Sequence, residues 1–142
     1  MRSVTWLIIL GVVGASIVGG GIGEAIAANA TQAKLSQQVE GGGVTVTATL
    51  VNDQAETTAI KLALNTHSVD LNGYQFEKMA TLHDDGGKTY PLQAVESASG
   101  GGHHREAVLR FGKLSQGAKT VELVVKDLAG VPERTFRWSL TN

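Results

Sequence analysis

Apolar and polar residues alternate through most of the chain beyond residue 43. Residues 44–50 read VTVTATL, which sets Val44, Val46, Ala48 and Leu50 on one side and Thr45, Thr47 and Thr49 on the other, the period-two pattern of a half-buried strand. Residues 57–65 alternate again, with Ile60, Leu62 and Leu64 inward and Lys61 and Asn65 outward. Residues 66–73 contain Asp, Asn and Gly and are expected as a loop. Residues 78–83 are expected as a strand that ends at Asp84-Asp85-Gly86-Gly87, the strongest hairpin signal in the chain. Residues 89–95 return from that hairpin. Pro91 lies among them and cannot donate to a ladder, which places this strand at a sheet edge.

Residues 96–102 are expected as a loop and residues 104–111 as a strand, with Ala107, Leu109 and Phe111 on one face and Val108 and Arg110 on the other. The run VELVV within residues 121–127 is nearly all apolar and predicts a central strand. A turn over residues 128–133 leads to a last strand, residues 134–140, with Phe136, Trp138 and Leu140 inward. Seven or eight short strands with regular turns between them predict an all-β fold, an antiparallel β-sandwich with Ig-like connectivity.

Before residue 44 the pattern changes. Residues 1–30 carry Arg2, then an apolar run from Trp6 to Val18, three glycines and Ala25-Ile26-Ala27. That order is expected of an export signal with a small-residue cleavage site. The alternative is an uncleaved membrane anchor, since Gly19 and Gly23 have the small-xxx-small spacing that lets helices approach in lipid. Both place the rest of the chain outside the cytoplasm: secreted, periplasmic or at the cell surface. Residues 31–43 are polar, end in three glycines and are expected as a linker or short helix. The domain is then residues 44–142.

The chain has 142 residues, a formal net charge of −1 and no cysteine. No basic cluster offers itself to phosphates, which argues against nucleic acid. Disulfides, thiolate metal sites and cysteine nucleophiles are excluded. Nor does the sequence contain a GxSxG elbow, an HExxH helix, a P-loop or a dinucleotide fingerprint, so no enzymatic activity is expected.

The alternating first strand, the hairpin DDGGKTY, the small-residue stretch before HHREAVLRF and the late strand GAKTVELVV together resemble the secreted or membrane-tethered Ig-like domains of bacteria and archaea. The resemblance covers residues 44–140. It implies fold and compartment but no particular activity, because such domains share none.

The candidate chemistry is histidine. In an Ig-like order the loops holding His67 and the pair His103-His104 share one end of the sandwich with the turn at residues 128–133, while His83 lies at the other end. Neutral imidazoles in such a cluster, with Asp70, Asp127 or Glu133 as a carboxylate neighbour, are a donor set for Cu or Zn. His103 and His104 both ligate only if His103 is still in the loop, because adjacent strand residues point to opposite faces. The plainer reading is that the imidazoles hydrogen-bond loop carbonyls and hold the loops. The expected function is an exported, non-catalytic binding module with His67, His103 and His104 as metal ligands. The alternative is a structural or assembly subunit that uses its N-terminal helix and sheet surface for contacts with a protein partner or with its own copies.

Overall fold

The computed structural model describes residues 35–51 and 56–140. The expected signal or anchor, most of the expected linker before Leu35, and the turn at residues 52–55 lie outside the described residues. Among the described residues nine strands form two antiparallel sheets: β1 (Ser36–Gly41), β2 (Val44–Val51), β3 (Thr57–Thr66), β4 (Ala80–Asp84), β5 (Thr89–Tyr90), β6 (Leu92–Gly101), β7 (His104–Gly112), β8 (Thr120–Leu128) and β9 (Val131–Ser139). The first sheet has the order β1-β2-β3-β7-β6 and the second β5-β4-β8-β9. One helical turn, α1 (Phe76–Met79), precedes β4. The fold is thus all-β and sandwich-like, with a single hydrophobic core drawn from both sheets.

The alternation read from the sequence is the alternation of burial. Val44, Val46 and Ala48 of β2, Ile60, Leu62 and Leu64 of β3, and Leu109 and Phe111 of β7 are fully buried, as are Leu123, Val125 and Phe136 from the second sheet. Each of these side chains larger than alanine contributes about 1.5–3 kcal/mol by leaving water. The VELVV run is central, as expected, with β8 between β4 and β9.

The turn expected over residues 128–133 shortens to residues 129–130, and four stretches differ more from the sequence reading, each for a local reason. Residues 36–41, expected as linker, are the edge strand β1, paired with β2 from Ser36↔Thr49 to Gly41↔Val44. Its signal is short: only Leu35 and Val39 are apolar, and both pack against the core. The strand expected over residues 89–95 is two strands in different sheets. The chain crosses from β5 to β6 at Pro91, which has no N–H for either ladder. Both pieces are edges, as Pro91 predicts. The loop expected at residues 96–102 mostly continues β6, because two register shifts let its small residues follow β7. Finally, residues 76–79 are helical rather than extended, since Phe76 and Met79, three apart, reach the core together from one helical turn.

The two lateral sides close differently. On one, β1 is stitched to β9 across the gap between sheets. Trp138 Nε1 donates to Leu35 O at 2.7 Å, Gln37 donates to Arg137 O and accepts from Arg137 N at 3.2 Å, and Arg134 Nη2 donates to Gly41 O at 2.6 Å. The Gln37 amide occupies backbone groups of β9 that an edge strand otherwise offers to other chains. On the other side α1 packs against β6 and β8, while the bulges of β6 spoil its regular edge.

Candidate functional site

Chain-reversing segments from four places meet at one end of the molecule. The β1–β2 turn holds Gly42 and Gly43 at φ +59° and +75°, the paired positive values of a type I′ hairpin. The other segments are the loop after β3, the β6–β7 turn and the β8–β9 turn. Thr66, the last residue of β3, joins several of them. Its Oγ1 donates to Gly43 O at 2.6 Å and accepts from the amides of Ser68 and Val69 at 3.2 and 3.1 Å. Its own N–H donates to His103 O at 2.9 Å. Leu71 N donates to Gly102 O at 2.8 Å, and Gly102 N donates back to Asn72 Oδ1 at 3.0 Å. Below them the Arg105 guanidinium donates to Leu71 O and Tyr74 O and lies 4.9 Å from the Phe76 ring centroid.

Arg134 ties the remaining turns. It is buried, and Nη1 and Nη2 donate to Leu128 O and Gly41 O. Among the described side chains no carboxylate is paired with it, and its Nε is without a hydrogen-bond partner. Desolvation holds its pKa below the ordinary arginine value.

These contacts frame an open groove of about 390 Å³ whose lining includes Glu40, Thr45, Asn65, His67, His103 and His104. Strand register explains part of the grouping. Glu40, Thr45, Asn65 and His104 are successive partners across β1, β2, β3 and β7, so they form one row on the outer face of the five-stranded sheet. His103 is in the β6–β7 turn and His67 directly follows β3, so all three candidate histidines line the groove. The carboxylate neighbour differs from the expectation: it is Glu40, not Asp70, Asp127 or Glu133. Glu40 was hidden from sequence reasoning because it belongs to β1. The alternating Leu35, Gln37, Val39 was the signal that could have found it.

His104 is the most constrained of the three. Its Nδ1 meets Asn65 Oδ1, an oxygen that can only accept, and the neutral tautomer that donates to it through Nδ1 keeps a lone pair on Nε2. Nε2 lies 4.0 Å from Glu106 Oε2, and Lys61 Nζ holds that same oxygen at 3.1 Å. An imidazole donating through one nitrogen and open at the other has the form of a metal ligand. Yet among the described residues no group of three or more His, Cys, Asp or Glu is arranged to hold a metal ion. Every described Phe, Tyr and Trp ring is buried or half-buried, so none of them offers a stacking platform.

His83 sits elsewhere, on the outer face of the second sheet. Its Nε2 is 3.0 Å from Glu122 Oε1, while Arg137 Nε donates to Glu122 Oε2 at 2.7 Å. Arg137 first, and then His83, hold the Glu122 pKa below the usual carboxylate range.

The end opposite the groove is a fastening rather than a site. Asp84 Oδ1 accepts from the amides of Gly86 and Lys88 at 2.9 and 3.0 Å, and the Tyr90 hydroxyl donates to Asp84 Oδ2 at 2.6 Å. Ser115 N donates to the Tyr90 oxygen at 2.8 Å. Lys88 Nζ also donates to Ser115 Oγ at 3.0 Å. The Tyr90 hydroxyl, then the two backbone amides, hold the Asp84 pKa below its ordinary value. A carboxylate depressed in the folded state contributes stability above its unfolded pKa, and that stability is lost as pH falls through the folded value. Tyr90→Phe therefore moves the midpoint of acid unfolding to higher pH, read by circular dichroism. An unchanged midpoint would show that the Tyr90–Asp84 bond does not contribute.

Compared with known protein families, curated proteins and solved structures, the chain matches none.

Proposed function

We propose that this chain is an extracytoplasmic, non-catalytic Ig-like binding module that meets its ligand at the histidine-lined groove. The observation that carries the reading is the groove itself. Three imidazoles from two distant segments line it together with Glu40, and hydrogen bonds centred on Thr66 and Gly102 hold its walls in place before any ligand arrives. Preorganised walls lower the entropic cost of binding. The Ig-like part is supported by strand order. With β2, β3, β4, β6, β7, β8 and β9 taken as A to G, the sheets read A-B-E-D and C-F-G. β1 and β5 are then additions at the edges. The extracytoplasmic part rests on the apolar N-terminal sequence alone.

The ligand class the imidazoles favour is a divalent transition metal, Cu or Zn, held by fewer than three protein donors with water completing the shell. Such a site is weaker than a structural zinc centre. Calorimetric titration of the purified domain with Cu(II) and Zn(II) is expected to show saturable binding in the submillimolar range, lost in the double variant His103→Ala/His104→Ala. No binding tighter than about millimolar, or binding unchanged in that variant, would remove the metal reading.

A subunit role is less favoured. Val51, at 39% exposure, is the one large hydrophobic exposed among the described residues. Stable subunit interfaces have more apolar cores than that.

A further inference from the structure

We infer that Asn72-Gly73 is a site of spontaneous covalent modification, and that this modification loosens one wall of the groove. The two residues are the centre of the turn over residues 71–74, closed by Tyr74 N donating to Leu71 O at 3.2 Å. In a turn closed between its outer residues, the amide N–H of the third residue is not used by the closing bond, so Gly73 N is left out of it. Both residues are exposed. A Cβ at Gly73 would meet nothing within 4 Å, and glycine has no side chain to shield its nitrogen.

The reaction is attack of Gly73 N on the Asn72 side-chain amide. The Gly73 nitrogen loses its proton and forms a bond to Cγ, the Cγ–Nδ2 bond breaks, and ammonia leaves a cyclic imide. Water then opens the imide at either carbonyl, giving Asp or isoAsp. No oxidant or cofactor is required. During attack negative charge develops on Oδ1, and that oxygen already accepts the Gly102 N–H at 3.0 Å. A backbone donor aimed at the atom where charge appears is the arrangement that stabilises tetrahedral oxyanions.

The consequence follows from the same bond. Asn72 Oδ1 and Leu71 N form the reciprocal pair that holds the loop after β3 to Gly102, next to His103. IsoAsp inserts a methylene into the backbone at this point and displaces the side-chain acceptor. The attachment of the β6–β7 turn is then reduced to its contacts through Thr66 and Leu71. The modification does not depend on the binding role proposed above; only its meaning for the groove does.

Prolonged incubation of the full chain at mildly alkaline pH, followed by proteolysis after Lys61 and Lys78 and tandem mass spectrometry, tests it. Asn65 and Asn72 then lie in one fragment, and Asn65, tied to His104, is the internal control. The expected result is an amide-to-acid mass gain localised at Asn72, as two separable isomers, one labelled by an isoaspartyl methyltransferase. In Gly73→Ala, which the open surroundings of Gly73 tolerate, the gain is expected to fall to the level at Asn65. Asn72 staying intact, or changing no faster than Asn65, overturns the inference.

Discussion

Gly42→Ala is expected to destabilise the domain by about 2–5 kcal/mol, far more than the same change at Gly130. Both glycines have positive φ, +59° at Gly42 and +71° at Gly130, so alanine carries a backbone cost of about 1–2 kcal/mol at either. They differ in surroundings. A Cβ at Gly130 meets nothing within 4 Å, whereas one at Gly42 would stand 2.1 Å from the carbonyl oxygen of Ala129. Backbone opposes backbone there, so no rotamer change relieves the clash. The β1–β2 and β8–β9 turns must separate, which pulls Gly41 O away from Arg134 and leaves the buried guanidinium with one fewer acceptor. Overpacking of this kind adds about 1–3 kcal/mol. Urea denaturation of the two variants, compared at equal m-value, gives the difference. Equal midpoints would mean that the two turns do not meet.

Phe136→Ala is expected to cost about 3–5 kcal/mol, as for other fully buried phenylalanines, and to lower the Tm by more than about 10 °C. Phe136 is completely buried and lies opposite Leu123 on the central strand β8. Domains of this size have a total stability of about 5–15 kcal/mol, so about a fifth or more of it would go. The chain has no disulfide to compensate. Phe136→Leu, which keeps most of the volume, is expected to lose less than half as much. Thermal unfolding by circular dichroism decides this, and a loss below about 1 kcal/mol for the alanine variant would mean that the core is not packed around this ring.

What the sequence made legible was what alternation encodes. Strands β2, β3, β7, β8 and β9 show their inward faces as apolar positions, and their burial largely follows those positions, although Val124 on β8 is buried outside the alternation and Arg134 on β9 is buried despite its charge. The meeting of His67 with His103 and His104 was legible too, because it needs only the order of strands. Harder to read was structure held by side chain on backbone. β1 has little apolar pattern, and much of what fixes it is Gln37, Trp138 and Arg134 reaching across to another strand. The distal half of β6 is Ser, Ala and Gly, a composition that reads as loop, and it is extended because β7 offers it a partner. Glu40 entered the groove through β1 and was invisible for the same reason.

The stitching of β1 to β9 also sets how the domain responds to force. β1 begins and β9 ends at the end of the molecule away from the groove, where Trp138 Nε1 holds Leu35 O. A pull that separates the two ends of the domain does not load the stitches together in shear. It opens them one after another, Leu35–Trp138 first, then Gln37–Arg137, and Gly41–Arg134 last. The domain is therefore a zipper under tension, and its mechanical weak point lies at the opposite end from the groove.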